Sequence, residues 1–171
     1  MIAGANDNAS GTAVLLTIAR MLEHAGLPFT LTIVPFGSEE LGLKGSKFYV
    51  ASLSEEELED TKAMLNFDAL SSGSGVSVFG DRDLVDLVTA VGSETGVEIT
   101  GTRGLSGGSS DFASFQKENI PYLMFYGDSL SRIHSEADTI EFVVPELLGG
   151  AAVSAAAFLQ SPGFTDFVNG K

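Results

Sequence analysis

The sequence lacks cysteine and tryptophan, has only two histidines, and carries nine Lys and Arg against 23 Asp and Glu. Without cysteine there is no disulfide framework and no thiolate metal site, so any metal must be held by carboxylates and imidazoles. The formal net charge of -14 argues against nucleic acid or an anionic lipid surface as partner, because both attract clustered Lys and Arg. No apolar run is long enough to span a bilayer, and no signal peptide follows Met1. We therefore expect no nucleic-acid partner and no membrane partner.

The length of 171 residues and the hydrophobic content of 44% predict a single domain over residues 1–171. Apolar segments with strand character alternate with amphipathic helical segments. The predicted strands are "FTLTIVPF", "AMLNFDAL", "VSVFG", "VEITGT" and "IPYLMFYG". This alternation predicts an α/β fold, a three-layer sandwich with a mostly parallel central sheet.

Acidic residues and a histidine follow several of these segments. Asp7 precedes the first predicted helix, Glu39 and Glu40 follow the first predicted strand, and Asp68 and His134 follow later ones. Because sites in such folds form beyond the carboxyl ends of the strands, these side chains are expected to converge. Carboxylates about 4 Å apart repel by roughly 4 kcal/mol per pair at an effective dielectric near 20, and a divalent cation removes that repulsion.

A catalytic zinc ion takes three protein ligands and keeps one position open for water. Asp7, one of the two adjacent glutamates and His134 would complete such a set. The other glutamate would then be free to act as general base toward the water.

Each of these residues also has an ordinary structural explanation. Asp7 could be a helix N-terminal acid, and Asp68 could cap the next segment. The pair Glu39 and Glu40 could be a solvated turn, and His134 could be an exposed loop residue. Only their joint placement favours a metal site.

The sequence resembles the M28 family of zinc aminopeptidases. The resemblance rests on "GANDNASG", "GSEELGLKGS", "NFDAL", "GGSSDFASF", "IPYLMFYG" and "IHSEADT", which span nearly the whole chain in family order. It implies a zinc-exopeptidase-like fold, two zinc ions bridged by a carboxylate, and peptide substrates with a free N-terminus. The pocket for the substrate side chain is expected in loops such as "RGLSGGSS", which do not reveal its preference.

The resemblance also implies roles for individual residues. Asp7 would bridge the two metals, Glu40 and His134 would bind one zinc, and Asp68 would bind the other. Glu39 would be the general base. Asp111 would support the substrate site, and Tyr126 would help to polarise the substrate carbonyl.

One departure concerns the zinc that Asp68 would bind. The family supplies a further histidine from a strand just before the "GANDNASG" loop, but only six residues precede Asp7 here and none is histidine. His24, which follows the first helix, is expected at the opposite end of the sheet. We therefore expect an N-terminally truncated catalytic domain with one tight zinc and one weak or empty position. An uncovered sheet edge is expected to promote homo-oligomers, and the family implies a secreted or extracytoplasmic location.

Two alternatives remain open from the sequence. Glutaminyl cyclases share this fold and use a single zinc, and a metal-free scaffold or binding module could be built on the same fold. Metal content separates the scaffold from the enzymes, and release of a free amino acid separates the peptidase from the cyclase.

Overall fold

The computed structural model describes residues 2–105 and 108–170. The strands are β1 (Met64–Phe67), β2 (Val76–Gly80), β3 (Ile99–Gly101) and β4 (Tyr122–Gly127). The helices are α1 (Gly11–Leu22), α2 (Lys44–Ser52), α3 (Glu55–Asp60), α4 (Arg82–Thr95), α5 (Phe112–Gln116), α6 (Pro145–Leu159) and α7 (Pro162–Gly170). A π-helical turn covers Ala5–Ser10, and a 3-10 turn covers Ile140–Phe142.

The strands form one open sheet in the order β1-β4-β2-β3. β1 runs parallel to β4 with Asn66 opposite Met124, and β2 runs parallel to β3. β2 and β4 are antiparallel, with Ser77 opposite Tyr126. The sheet is therefore mostly parallel, which confirms the predicted fold class. All of β4 after Tyr122 is buried, as expected for a central strand covered on both faces.

Helices cover both faces of this sheet. On one face, α1, α4, α6 and α7 enclose the main core, where Phe67 and Phe125 stack with ring centroids 4.7 Å apart. On the other face, α2 and α5 pack together, and a smaller cluster joins Val50, Phe115 and Ile120. The predicted three layers are thus present.

Local sequence signals determine where several helices begin. Val14, Ile18 and Leu22 recur every four residues and form the buried face of α1. The predicted capping box starts α3: the Ser54 hydroxyl accepts a hydrogen bond from the Glu57 N–H, and the Glu57 carboxylate accepts one from the Ser54 N–H. Asp81 is the N-cap of α4, and its carboxylate accepts a hydrogen bond from the Asp83 N–H.

The prediction of a strand at residues 29–36 is wrong. This segment and β1 both line a groove of about 660 Å³. Among the described residues, no backbone hydrogen bond involves residues 29–36. An apolar segment becomes a strand only when a neighbour pairs with its backbone, and this neighbour is not found in residues 2–105 and 108–170.

Length and composition allow no single helix within the described ranges to cross a bilayer. By those criteria α6 and α7 qualify only together, as a pair bent by 58°.

Candidate active site

The turn that carries Asp7 is attached to the chain just after β1 by its buried neighbour Asn6. The Asn6 Oδ1 atom accepts hydrogen bonds from the N–H and the hydroxyl of Ser71, at 2.7 and 2.8 Å. Its Nδ2 atom donates to the Ser72 hydroxyl at 3.0 Å. Asn6 is 4% exposed, so these bonds are shielded from water and hold Asp7 beside the end of β1.

The start of α1 lies against the end of β1. The Asn8 amide donates to the Phe67 carbonyl oxygen at 2.9 Å and accepts from the Gly11 N–H at 2.9 Å. A Cβ atom at residue 11 would collide with the same Phe67 carbonyl oxygen, so this position requires glycine.

Asp138 fixes the turn from the other side. Its two carboxylate oxygens accept hydrogen bonds from the backbone N–H groups of Asn6 and Asp7, at 2.6 and 3.0 Å. Asp138 is 2% exposed. The sequence alone predicts no role for Asp138, although it lies four residues after His134 in the "IHSEADT" stretch.

Three predicted zinc ligands meet at this place. The Nε2 atom of His134 lies 3.1 Å from Asp7 Oδ2 and 3.0 Å from Glu40 Oε1. One ligand atom from each residue lies within 4.8 Å of the other two. The sequence positions are far apart, but the turn before α1, the segment after residue 36 and the loop after β4 bring them together.

Glu39 and Asp68 border a small cavity of about 250 Å³ next to this cluster, together with Asp7, Glu40 and Asp111. Three of the four predicted metal ligands therefore line the same cavity as Glu39, the predicted general base. The fourth, His134, does not line it. Burial and the nearby carboxylates, Asp68 first among them, raise the pKa of Glu39 to about 7. Burial and Glu40 also raise the pKa of Asp7, while His134 opposes that rise.

Among the described residues, the Asp68 carboxylate accepts one hydrogen bond. The Ser110 hydroxyl donates to its Oδ2 atom at 2.7 Å and accepts from the Asn66 amide at 3.1 Å. Its Oδ1 atom is buried and has no hydrogen-bond partner among the described residues. Burial raises the pKa of Asp68 to about 6 despite the Ser110 bond. Asp111 resembles it: its Oδ1 atom is likewise buried without a partner, and burial raises its pKa.

Tyr126 lies in β4 outside the residues that line the small cavity. Its hydroxyl shares a hydrogen bond of 2.9 Å with Thr102 Oγ1, and its ring packs against Phe79 at 5.8 Å between centroids. In this arrangement Tyr126 joins the sheet to a neighbouring loop. Its role toward a substrate carbonyl stays a prediction.

Strained backbone surrounds the site. Ser38, Ala69 and His134 have φ of 59°, 50° and 59°, a region that side chains with a Cβ atom rarely adopt. Ser38 precedes Glu39, and Ala69 follows Asp68. Such strain is typical of functional sites, where the surrounding structure holds side chains in a fixed direction.

The donor set suits zinc. One imidazole nitrogen and two carboxylates converge, and zinc binds these atoms readily. The unpartnered Asp68 oxygen and the pKa values of Glu39 and Asp68, which burial and neighbouring carboxylates raise, fit a cluster of carboxylates that a divalent cation would neutralise. Ser106 and Gly107, in the loop "RGLSGGSS" predicted to shape the substrate pocket, lie outside the described residues.

Comparison with known proteins shows what this arrangement resembles. The sequence profile described as Peptidase family M28 matches residues 2–159. Aminopeptidase YwaD of Bacillus subtilis (strain 168) is 34% identical over 169 residues, which cover 91% of this chain and 37% of that protein.

Solved structures agree with the sequence match. The aminopeptidase from Aneurinibacillus sp. strain AM-1 superposes with a TM-score of 0.79 at 32% identity, covering 91% of this chain and 39% of that one. BSAP, a zinc aminopeptidase from Bacillus subtilis, also gives a TM-score of 0.79, at 31% identity over 90% of this chain and 41% of that one. The chain thus spans about two fifths of the length of these relatives.

Proposed function

The chain belongs to peptidase family M28, and from this membership we propose that it carries the catalytic site of a zinc-dependent aminopeptidase. The observation that supports the proposal most directly is the convergence of Asp7, Glu40 and His134 on one point beside Glu39. The relatives at 31 to 34% identity are named aminopeptidases, and one is named a zinc enzyme. The substrates would be peptides with a free N-terminus.

Asp7, Glu40 and His134 would hold one zinc ion tightly. Asp7 and Asp68 would offer a second, weaker position, because no third ligand for it is found among the described residues. Bound zinc supplies a Lewis acid that lowers the pKa of water and polarises a carbonyl oxygen. The cavity is lined by five carboxyl groups, and its negative potential favours the positively charged amino terminus of a peptide.

Glu39 would move the proton. Its carboxylate would take a proton from the water as the water oxygen bonds to the carbonyl carbon. It would then pass that proton to the amide nitrogen, and the C–N bond would break to release the amine and the new carboxyl group. Burial and the neighbouring carboxylates raise the pKa of Glu39 to about 7, a value that suits a group which accepts and then donates a proton near neutral pH. Glu40 cannot share this role while it serves as a metal ligand, which explains why two adjacent glutamates are needed.

The test combines zinc analysis with hydrolysis of leucine p-nitroanilide. We expect close to one tightly bound zinc per chain, and Glu39→Gln should lower kcat by at least about 100-fold while zinc content stays unchanged. Glu94→Gln, at an exposed position on α4, is the matched control and should keep full activity.

The other outcomes identify the alternatives. Cyclisation of an N-terminal glutaminyl peptide without amino-acid release would indicate a cyclase. Failure to bind zinc, together with no turnover in excess zinc, would indicate a scaffold. Full activity of Glu39→Gln would remove Glu39 from the mechanism.

A further inference from the structure

A carboxylate can bind a cation through either of its two oxygens, and the contacts of Asp68 make its two oxygens different. Asp68 follows β1 directly, and its backbone N–H donates to the Phe125 carbonyl oxygen of β4 at 3.1 Å. Asn66 lies two residues earlier in β1, so both side chains point to the same face of the sheet. On that face, Ser110 contacts both of them just before α5 begins.

A backbone group determines the orientation of the Asn66 amide. The Phe112 N–H donates to Asn66 Oδ1 at 2.8 Å. Because a backbone N–H can only donate, the amide oxygen must face it, and the amide NH2 group must then face Ser110. Asn66 is 5% exposed, so this contact is shielded from water.

The direction of the Ser110 hydroxyl follows from the orientation of that amide. Asn66 Nδ2 donates to Ser110 Oγ at 3.1 Å, and an amide NH2 group cannot accept a hydrogen bond in return. The single hydroxyl hydrogen of Ser110 is therefore donated to Asp68 Oδ2, which lies 2.7 Å from Ser110 Oγ. Ser110 is 1% exposed, so the three bonds form a buried chain with one direction, from the Phe112 N–H to the Asp68 carboxylate.

This direction leaves one oxygen of Asp68 for a cation. The hydroxyl hydrogen of Ser110 on Oδ2 balances part of the negative charge of that oxygen and repels a cation that approaches it. Oδ1 is buried and has no hydrogen-bond partner among the described residues. Asp68 and Asp7 line the same cavity, so Oδ1 is the oxygen available at the second, weaker cation position.

We propose that Ser110 and Asn66 are positioning residues, which fix Asp68 Oδ2 as a hydrogen-bond acceptor and direct Oδ1 toward the second cation position. This inference rests on the proposed function and deepens it. A carboxylate that is already held by a hydrogen bond loses little freedom when it binds a metal, and such outer partners contribute strongly to metal affinity. The role of Ser110 is therefore directional, because a hydroxyl that turned away would leave both Asp68 oxygens equivalent.

The test measures binding of Mn²⁺ by electron paramagnetic resonance, after one equivalent of zinc has filled the position formed by Asp7, Glu40 and His134. Carboxylate oxygens suit Mn²⁺, and Mn²⁺ stands lowest in the affinity order of the divalent first-row metals, so it should not displace that zinc. Binding removes the signal of free Mn²⁺, and no substrate is present. Failure of the proposed function would appear as missing tight zinc or missing hydrolysis, whereas the Mn²⁺ measurement tests only the second position.

Substitutions of Ser110 isolate its hydroxyl. Ser110→Ala should weaken Mn²⁺ binding by about 10- to 100-fold without changing the content of tight zinc. Ser110→Thr keeps a hydroxyl and should bind Mn²⁺ within about threefold of the parent chain. Ser110→Cys fills the same space with only a weak donor, so it should resemble Ser110→Ala and replaces it if that variant does not fold.

Two further variants serve as references. Asp68→Ala measures the Mn²⁺ that other acidic groups bind, in a chain with 23 Asp and Glu. Ser114→Ala is the matched control, because it removes a buried hydroxyl from α5 that shares a hydrogen bond of 2.8 Å with Ser46. Ser114→Ala should bind Mn²⁺ like the parent chain, and urea denaturation compares its loss of stability with that of Ser110→Ala.

Three results would overturn the proposal. If the parent chain binds no more Mn²⁺ than Asp68→Ala at millimolar Mn²⁺, Asp68 serves no second cation. Tighter binding in Ser110→Ala would show that the hydroxyl competes with the cation for Oδ2. Equal losses of Mn²⁺ affinity in Ser110→Ala and Ser110→Thr, or in Ser110→Ala and Ser114→Ala, would assign the effect to packing.

Discussion

On one side of Asp7, Glu40 and His134 complete a set of three ligand atoms within 4.8 Å of each other. On the other side, Asp68 and Asp111 each have a buried carboxylate oxygen that finds no hydrogen-bond partner in residues 2–105 and 108–170. The first side is held by chain that the structure describes: the turn at Asn6, the carboxylate of Asp138 and the loop of His134. The second side borders the open groove beside β1.

This difference divides the proposed metal site into a side where three candidate ligands meet and a side where Asp68 has no such set among the described residues. Where packed elements surround Asp7, Glu40 and His134, one ligand atom of each converges on the same point. Beside the groove, Asp68 has a buried oxygen with no partner among the described residues, and burial raises its pKa. The predictions below compare the two sides directly.

The largest expected effect is on zinc affinity at the set formed by Asp7, Glu40 and His134. His134→Ala should lower zinc affinity by more than about 100-fold, since loss of even an outer-shell partner of a metal ligand costs 10- to 100-fold. Asp68→Ala should change the affinity of the tight site by only a few fold. Competition with a chromophoric chelator measures both. His24→Ala, the only other histidine in the sequence, is the control and should bind zinc normally. Equal losses in His134→Ala and Asp68→Ala would show that the two sides form one site.

A smaller effect on zinc affinity is expected from Asp138, which holds the turn that carries Asp7. Asp138→Asn replaces one of two carboxylate acceptors with an amide donor, next to the N–H groups of Asn6 and Asp7. We expect about a tenfold loss of zinc affinity and a loss of about 1 to 3 kcal/mol of unfolding free energy. Chemical denaturation and zinc titration measure these two quantities. The exposed substitution Asp166→Asn should alter neither, and wild-type values for Asp138→Asn would mean that the turn holds Asp7 without it.

Much of this arrangement was predictable from sequence because strong local signals define it. The capping box at Ser54, the cap at Asp81 and the apolar strand at residues 122–127 each determine an element without reference to distant residues. The convergence of Asp7, Glu40 and His134 followed from the rule that sites form beyond the carboxyl ends of strands.

The failures have a common physical origin in long-range pairing. Residues 29–36 have the composition of a strand, but a strand exists only if another backbone pairs with it. The role of Asp138 depends on two N–H groups that lie more than 130 residues away in sequence. The antiparallel pairing of β2 with β4 depends on chain topology, which local periodicity does not encode.

The smallest expected effect is on the pH dependence of the free energy of unfolding of the metal-free protein. This dependence tests whether the Asp68 carboxyl group is as poorly solvated as the structure shows. Its pKa is about 6 in the folded chain against 3.8 for an ordinary aspartate, so the folded state holds more protons than the unfolded state between these values. Stability is therefore highest below about pH 4 as far as this group is concerned, and it falls as the pH rises through 6. The two-unit difference corresponds to at most about 3 kcal/mol.

Asp68→Asn removes the titrating group but keeps the shape of the side chain. In the presence of a chelator, the variant should show a smaller loss of stability between pH 4.5 and 8 than the parent chain, by about 1 to 2 kcal/mol. Urea denaturation at several pH values measures how the free energy of unfolding changes with pH. Asp166→Asn, at an exposed position, is the control and should leave this dependence unchanged. If Asp68→Asn has the same pH dependence of unfolding free energy as the parent chain, the unpartnered oxygen of Asp68 is solvated. The two sides of the proposed metal site would then differ only in their number of ligands.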